Sequence, residues 1–297
     1  MKPINTNAFH IGTDGDEMTL KFGCQTYTWQ MSYDRYVGKI PHILDVIRRA
    51  GFRGFEPQVN MLGEYNRDPG LLRQELDEHQ LTLGAIGLTQ AWLRPHLTED
   101  EQTEAHRVVE YLKAFSGAKL ILGHAPGKDR KNLEQRQRNA IAGINEVARI
   151  AMDNGIPCAF HPNSPGGSVF RDQEDYEVLF EGLDSSVCGY APDSGHITNG
   201  GMDAVEIFNT YRTLIRHIHF KDITANGEWT VMGQGVIDHP AIVRMLRDTG
   251  YDGWVMVEEE SKRAESQPDE VTLENGHYVH KWLAALASGV RQKDEAE

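Results

Sequence analysis

The sequence predicts an α/β protein built as a single closed (β/α)8 barrel, and three observations lead there. Short apolar runs alternate with longer stretches of helical period eight times between residues 21 and 288. Neither a linker nor a shift in composition interrupts the alternation, although 297 residues would allow two domains. An open doubly wound sheet would put a glycine-rich phosphate loop after its first strand, and here Thr26-Tyr-Thr-Trp29 stands in that place. Residues 1–20 read as a polar arm, 21–288 as the barrel and 289–297 as a polar tail.

The first strand is expected over residues 21–29, and the helix after it carries Ile43, Leu44, Val46 and Ile47 on one face. Strand two covers 54–58 and its helix 71–79. Strand three covers 82–88, followed by a helix over 101–115. Strand four is 119–124 and leads into a long helix over 132–153. In the second half, strand five is 157–163 with a helix over 174–181, and strand six is 187–193 with a helix starting at Asp203. Strand seven is 216–222, its helix 240–248, strand eight 253–258, and a last helix covers 278–287. Gly51, Gly155 and Gly250 follow helices just ahead of strands, where a left-handed residue ends the helix.

Charge narrows the function. Lys and Arg number 30 against 44 Asp and Glu, a net charge of −14, and the densest basic cluster, residues 128–131 (KDRK), reads as a loop. A nucleic-acid partner is therefore not expected. No run of 18 apolar residues occurs, so no membrane partner is expected, and the N-terminus has no apolar signal core, so we expect no export. Cys24, Cys158 and Cys188 are odd in number and lie among apolar neighbours, which suits buried thiols in a reducing, cytoplasmic compartment.

A barrel of this kind carries its site at the C-terminal ends of its strands. Those ends hold Trp29, Glu56, Gln90, Trp92, His124, His161, Asn163, Asp193, His196, His219, Lys221, Glu258 and Glu260. Six of the 13 histidines (His96, His124, His161, His196, His217 and His219) fall on or just past strand ends. His161, Asp193, His219 and Glu258 come from consecutive strands five to eight and can converge on one divalent ion. Two imidazoles with two carboxylates suit Mn²⁺, Co²⁺, Fe²⁺ or Zn²⁺ better than the all-oxygen shells of Ca²⁺ or Mg²⁺. Alternation along the seventh strand puts His217, His219 and Lys221 on one face, with Lys221 at the rim.

These motifs carry a resemblance. Phe160-His-Pro-Asn163, Asp193-Ser-Gly-His196, His217-Ile-His-Phe-Lys-Asp222, Gly233-Gln-Gly235 with Asp238, and the last strand 251–258 resemble the xylose isomerase-like sugar isomerase/epimerase superfamily of TIM barrels, in the branch that contains inosose dehydratase. The resemblance implies that Asp193, His219 and Glu258 bind a divalent ion, Mn²⁺ first with Co²⁺, Zn²⁺, Fe²⁺ or Mg²⁺ as alternatives, and that His196 contacts substrate. His161 stands where the superfamily's epimerases have a glutamate ligand, which argues against an ordinary ketose 3-epimerase. Asn163 replaces the branch's second histidine.

The reaction class expected is proton abstraction α to a carbonyl on a keto-sugar or keto-cyclitol, with the enolate stabilised by the metal. Loss of a β-hydroxyl makes a dehydratase. Reprotonation on the other face makes an epimerase, and loss of a β-linked aglycone a 3-keto-glycoside lyase. Acid and base are sought among His161, Glu56, Lys221, Glu260 and His124. Substrate contacts are sought from His196, His124, Asn163, Trp29 and Trp92. From another class, the chain can be a noncatalytic barrel or one subunit of a homo- or hetero-oligomer, with the arm and the loop 162–168 as contact surfaces.

Overall fold

The structure is a computed structural model that describes residues 20–287; the predicted tail and, Leu20 apart, the predicted arm lie outside the described residues. Its strands are β1 (Lys21–Gln25), β2 (Gly54–Glu56), β3 (Thr82–Leu83), β4 (Ala85–Gln90), β5 (Lys119–His124), β6 (Cys158–His161), β7 (Cys188–Tyr190), β8 (Ile218–Phe220), β9 (Asp222–Ile223), β10 (Trp229–Thr230) and β11 (Trp254–Val257). Parallel pairing runs β3-β2-β1-β11-β8 in one sheet and β4-β5-β6-β7 in the other. Two seams join them. β3 and β4 are one barrel strand interrupted at Gly84, and the Gly87 N–H donates to the Pro57 carbonyl at 2.9 Å. Across the other seam, Tyr190 bridges to Ile215 and Asp193 to His219. Eight strand positions therefore close into the predicted barrel, with β9 and β10 added as a short antiparallel hairpin.

Period-two alternation sorts the strand residues. Ala85, Ile121, Ala159 and Ala191 form a small apolar layer of their own, separate from the main core between sheet and helices. Trp254 and Met256 approach Gly23, Gly54 and Gly84 so closely that a side chain at any of these glycines would strike them. Tight filling on one side of the barrel leaves the inward positions nearest the strand ends, among them Glu56, His161, His219 and Glu258, as its polar layer. The helix Ile40–Arg49 shows the matching 3.6-residue period, burying Ile40, Ile43, Leu44, Val46 and Ile47. It ends at Gly51, which has φ +88°, and Gly155 and Gly250 are left-handed in the same way at +74° and +75°.

Three elements differ from expectation. β1 stops at Gln25, because the Gln25 side-chain carbonyl takes the Tyr27 N–H and residues Tyr27–Gln30 wind into a helical turn. The C-terminal helical region begins far earlier than residue 278: Lys262–Ser266 is capped by Ser261, Pro268–Tyr278 follows, and a π-turn Val279–Leu283 joins it to Ala284–Ala287. Its buried face includes Thr272 and Asn275, whose polarity hides the period. The β9–β10 hairpin was also not anticipated.

The basic cluster at 128–131 is a loop, and its Arg130 is committed internally. Both Asp175 oxygens accept from the Arg130 guanidinium at 2.8 Å, and Gln137 Nε2 and the Arg171 N–H donate to the same carboxylate. Burial would raise the Asp175 pKa, yet these donors hold it below the usual carboxylate value. A folded-state pKa below the unfolded value stabilises at high pH, so this contribution is complete above about pH 5, begins to decline near the unfolded value of about 3.9 and is lost as pH falls on through the lower folded-state value. Urea midpoints of the native protein and Asp175→Asn should therefore differ at pH 7 and converge towards pH 3. A constant gap down to pH 3 would refute the ion-pair origin.

Candidate active site

One cavity of about 510 Å³ opens at the C-terminal ends of the barrel strands. Gln25, Tyr27, His124, His161, Asn163, His196, His219, Glu258 and Glu260 all line it. At its floor lies a cluster of imidazoles, carboxylates and one ammonium, buried except for partly exposed His161 and Glu260.

His219 sits between two carboxylates. Its Nε2 is 2.9 Å from Glu56 Oε1 and its Nδ1 is 3.5 Å from Glu258 Oε2. Against the cost of burial, Glu56 and then Glu258 raise the His219 pKa to about 9. His217, one inward position deeper, meets the other Glu56 oxygen at 2.5 Å. Glu56 is fully buried and bonded to both rings, and burial, which would raise its pKa, is outweighed by the two imidazoles. Glu56, expected as a candidate acid or base, does not line the cavity, and both its oxygens are committed to histidines.

Asp193 lies just past β7, the sixth barrel strand, and caps the helix Ser194–Asn199, its Oδ1 accepting the His196 N–H at 2.8 Å. Its Oδ2 is buried with no hydrogen-bond partner. His161 turns Nδ1 to the Ala191 carbonyl at 3.3 Å and packs its ring 4.5 Å from that of His219. Burial first, then His219, lowers the His161 pKa to about 3, so this imidazole is neutral. His196 is also neutral, lowered to about 3 by burial and then by Lys221; its Nδ1 bonds Ser164 Oγ at 2.9 Å. Lys221 lies at the centre and not at the rim, with no exposure. Its Nζ meets Glu258 Oε1 at 2.5 Å, Glu260 Oε1, and His196 Nε2 at 3.2 Å, and lies 3.6 Å from Asp193 Oδ2.

Other expected residues have different positions. Trp29 is buried away from the cavity with Nε1 donating to Asp269 Oδ1 at 2.8 Å. Trp92 is buried as well, donating to Gln90 Oε1 at 3.1 Å and lying over Gly143, where a Cβ would strike the indole at 2.3 Å. Neither ring lines the cavity where substrate contacts were expected from them. His124 lines the cavity from beside Trp92, ring centroids 6.0 Å apart, and burial followed by Arg136 lowers its pKa to about 4. Asn163 Nδ2 donates to the His124 carbonyl at 2.8 Å, and its Oδ1 accepts from Ser168. The loop 162–168 packs on its neighbours, with Arg130 and Arg136 bonding the Ser168 and Gly167 carbonyls.

Sequence reasoning missed Trp229, Ser194 and the role of Asp222. Trp229 stands edge-on to His196 at 5.5 Å and 5.1 Å from Lys221 Nζ. Its signal was weak, since it belongs to the unforeseen hairpin. Ser194 Oγ bonds the Lys221 backbone on both sides and His239 Nε2 at 3.1 Å. Asp222 explains the glycine loop, because its carboxylate accepts the Gly233, Gly235 and Ile223 N–H groups at 2.8, 3.0 and 2.9 Å. A Cβ on Gly235 would sit 2.1 Å from Asp222 Oδ1. That loop holds the chain's own carboxylate. Asp222→Ala should cost about 1–3 kcal/mol, leaving the buried Ile223 N–H and the less buried Gly233 and Gly235 N–H groups without their acceptor, and a shift of the urea midpoint measures it; an unchanged midpoint would show that the loop holds without its carboxylate.

Groups able to hold a metal ion are present: His161, Asp193 and His219 offer ligand atoms within 4.8 Å of one another, and so do Asp193, His196 and Glu258. The orphaned Asp193 Oδ2 and His219 Nδ1 are buried ligand atoms without hydrogen-bond partners. His219 Nδ1 is backed by a carboxylate on its other nitrogen, as metal-bound histidines regularly are. The residues fit a divalent ion, and their mixed nitrogen and oxygen set favours a transition metal.

Fold and site define an α/β-barrel enzyme with an imidazole- and carboxylate-lined mouth. The chain belongs to the xylose isomerase-like TIM barrel family, whose model matches residues 44–281. Among curated proteins it is 27% identical over 302 residues to the inosose dehydratase of Lacticaseibacillus casei, covering 88% of this chain and 97% of that one. It is 28% identical over 268 residues to that of Clostridium beijerinckii, covering 77% and 85%. Among solved structures, the zinc-bound IolI protein superposes with TM-score 0.70 at 17% identity, covering 90% of this chain and 99% of that chain. The 3-keto-D-glucoside 4-epimerase of E. coli superposes with TM-score 0.68 at 17% identity, covering 88% and 99%. Among the described residues, no helix is long and apolar enough to cross a membrane.

Proposed function

We propose that this chain is a divalent-metal-dependent dehydratase of a keto-cyclitol or keto-sugar, of the inosose dehydratase type. The observation that carries the proposal is that one cavity reaches His161, His219, Glu258 and Glu260 together, with Lys221 behind them. The extent of likeness to the two inosose dehydratases supports the substrate class. His161, Asp193, His219 and Glu258 would hold the ion, with Mn²⁺ first among the candidates. When bound, such an ion supplies Lewis-acid stabilisation of the negative charge that develops at a carbonyl oxygen.

The chain's own residues supply the rest. Glu260 lines the cavity and is our choice of base for the proton α to the carbonyl. Returning that proton to the β-hydroxyl releases water and regenerates the carboxylate, so one residue completes the elimination. Lys221 fixes the Glu260 carboxylate through their ion pair, and neutral His196, whose two nitrogens are taken by Ser164 and Lys221, contacts substrate through the face of its ring that lines the cavity. His124 and Asn163 form the opposite part of our proposed substrate contacts. The three cysteines are free, buried thiols, and on that ground we assign the protein to the cytoplasm.

The test is incubation of Mn²⁺-reconstituted protein with 2-keto-myo-inositol. Dehydration should appear as growing ultraviolet absorption from the conjugated product, and absence of turnover would reject the substrate. A second reading, loss of a β-linked group from a 3-keto-glycoside, is favoured by another recess of about 490 Å³ beside Trp229 and Arg263 that shares Glu260 with the main cavity. Turnover of a 3-keto-glucoside without turnover of the cyclitol would select it.

A further inference from the structure

The position of Lys221 raises a question that the proposed reaction does not answer, and the inference from it rests on the metal reading above. An ammonium has three N–H donors. Here the three go to Glu258 Oε1, Glu260 Oε1 and His196 Nε2, while Asp193 Oδ2 lies at 3.6 Å, too far for a hydrogen bond but close enough to feel the charge. Lys221 has no exposure, and Asp193 and Glu258 are buried beside it. Three carboxylates thus surround one ammonium, and two of the three are proposed metal ligands. Without it, Asp193 and Glu258 would lie near each other in the interior with only the His219 imidazole, already shared with Glu56, to offset their charge, an arrangement that burial makes costly.

We propose that Lys221 is a built-in competitor for the metal: its ammonium neutralises Asp193 and Glu258 in the metal-free protein and thereby sets the affinity for the divalent ion. Loading must draw Glu258 away from Lys221, and the ammonium then depends on Glu260 and His196, the two partners that are not among the proposed ligands. Glu260 has the second part in this arrangement. It shares the ammonium with Glu258, so it weakens the hold of Lys221 on the ligand side and lets the ion in. The buried ammonium also repels an arriving cation directly, over a short path of low dielectric. Two substitutions should therefore move metal affinity in opposite directions, which a purely structural role of the lysine does not predict.

The experiment titrates metal-stripped full-length protein with Mn²⁺, reading the free ion by electron paramagnetic resonance, alongside thermal denaturation of the metal-free forms. Lys221→Met should bind Mn²⁺ at least tenfold more tightly than the unmodified chain while its metal-free form melts at lower temperature. Glu260→Gln should bind Mn²⁺ more weakly, because the ammonium then leans wholly on Glu258 and Asp193. Equal or weaker binding by Lys221→Met overturns the proposal, and if that variant does not fold, equal or tighter binding by Glu260→Gln overturns it. Binding by the unmodified chain tests the metal reading separately. If the unmodified chain binds no Mn²⁺ and Lys221→Met does, the competitor role stands; if neither binds, both readings fall.

Discussion

Asp193→Asn should remain folded and lose both bound metal and turnover. The substitution separates two roles of one side chain. Asp193 Oδ1 caps the helix Ser194–Asn199 by accepting the His196 N–H at 2.8 Å, and asparagine is an equally good cap. The charge is what disappears. Lys221 keeps Glu258 and Glu260 as counter-ions, so no ammonium is stranded in the interior. Loss of a ligand should exceed the 10–100-fold effect of altering a residue behind a ligand, so we expect metal affinity and kcat/KM each to fall by more than about 10²-fold. Metal analysis after gel filtration, a thermal melt and steady-state rates check the three parts. Turnover close to the native rate would remove Asp193 from the metal site. Turnover absent from the native chain as well, with no metal bound, would favour the noncatalytic barrel.

Why some of this was legible beforehand and some not follows from how each residue is held. The inward residues of β6, β8 and β11 obey strict alternation, so His161, His219 and Glu258 could be assigned to the mouth from their positions along apolar runs. Asp193 was readable as the end of an apolar run, although the helix Ser194–Asn199 that it caps was not foreseen. Trp29 and Trp92 were misplaced because the backbone leaves the strand just before each of them. β1 gives way to a helical turn at Tyr27, and Trp92 has φ +41°, a left-handed conformation that nothing in a tryptophan announces. Lys221 was correctly put on the inner face but expected at the rim. Distance along a strand says nothing of where a long side chain ends, and here Glu258, Glu260 and Asp193 draw its ammonium to the centre. The Asp222 carboxylate with its glycine loop was recognisable as a motif, but the reason for the glycines lies in three N–H groups that only the folded loop brings to one carboxylate.

Glu56 is where the sequence and the structure suggest opposite experiments, and its substitution should have the second large effect. A base that touches substrate would, when changed to glutamine, lose kcat and leave metal binding alone. The structure leads us to expect the reverse order. Glu56 accepts from Nε2 of both His217 and His219, which leaves Nδ1 of His219 directed towards Glu258 and free of other hydrogen-bond partners. Glutamine offers one accepting oxygen and one donating nitrogen. Only one of the two imidazoles can go on donating from Nε2, and the other must accept there and carry its proton on Nδ1. If that ring is His219, the nitrogen we propose for the metal holds the one proton of the neutral ring. If it is His217, His219 still loses the anionic partner that increases its basicity. Either arrangement should weaken Mn²⁺ binding about 10–100-fold. At saturating metal, part of the lost turnover should return, which does not happen when a base has been deleted. Glu56→Ala should be harsher, because it opens a cavity and leaves two fully buried imidazoles without their shared anion, at a cost of about 3–5 kcal/mol. Unchanged metal affinity in Glu56→Gln together with lost kcat would restore the carboxylate to a direct chemical role, and would require it to reach a cavity that its present bonds turn it away from.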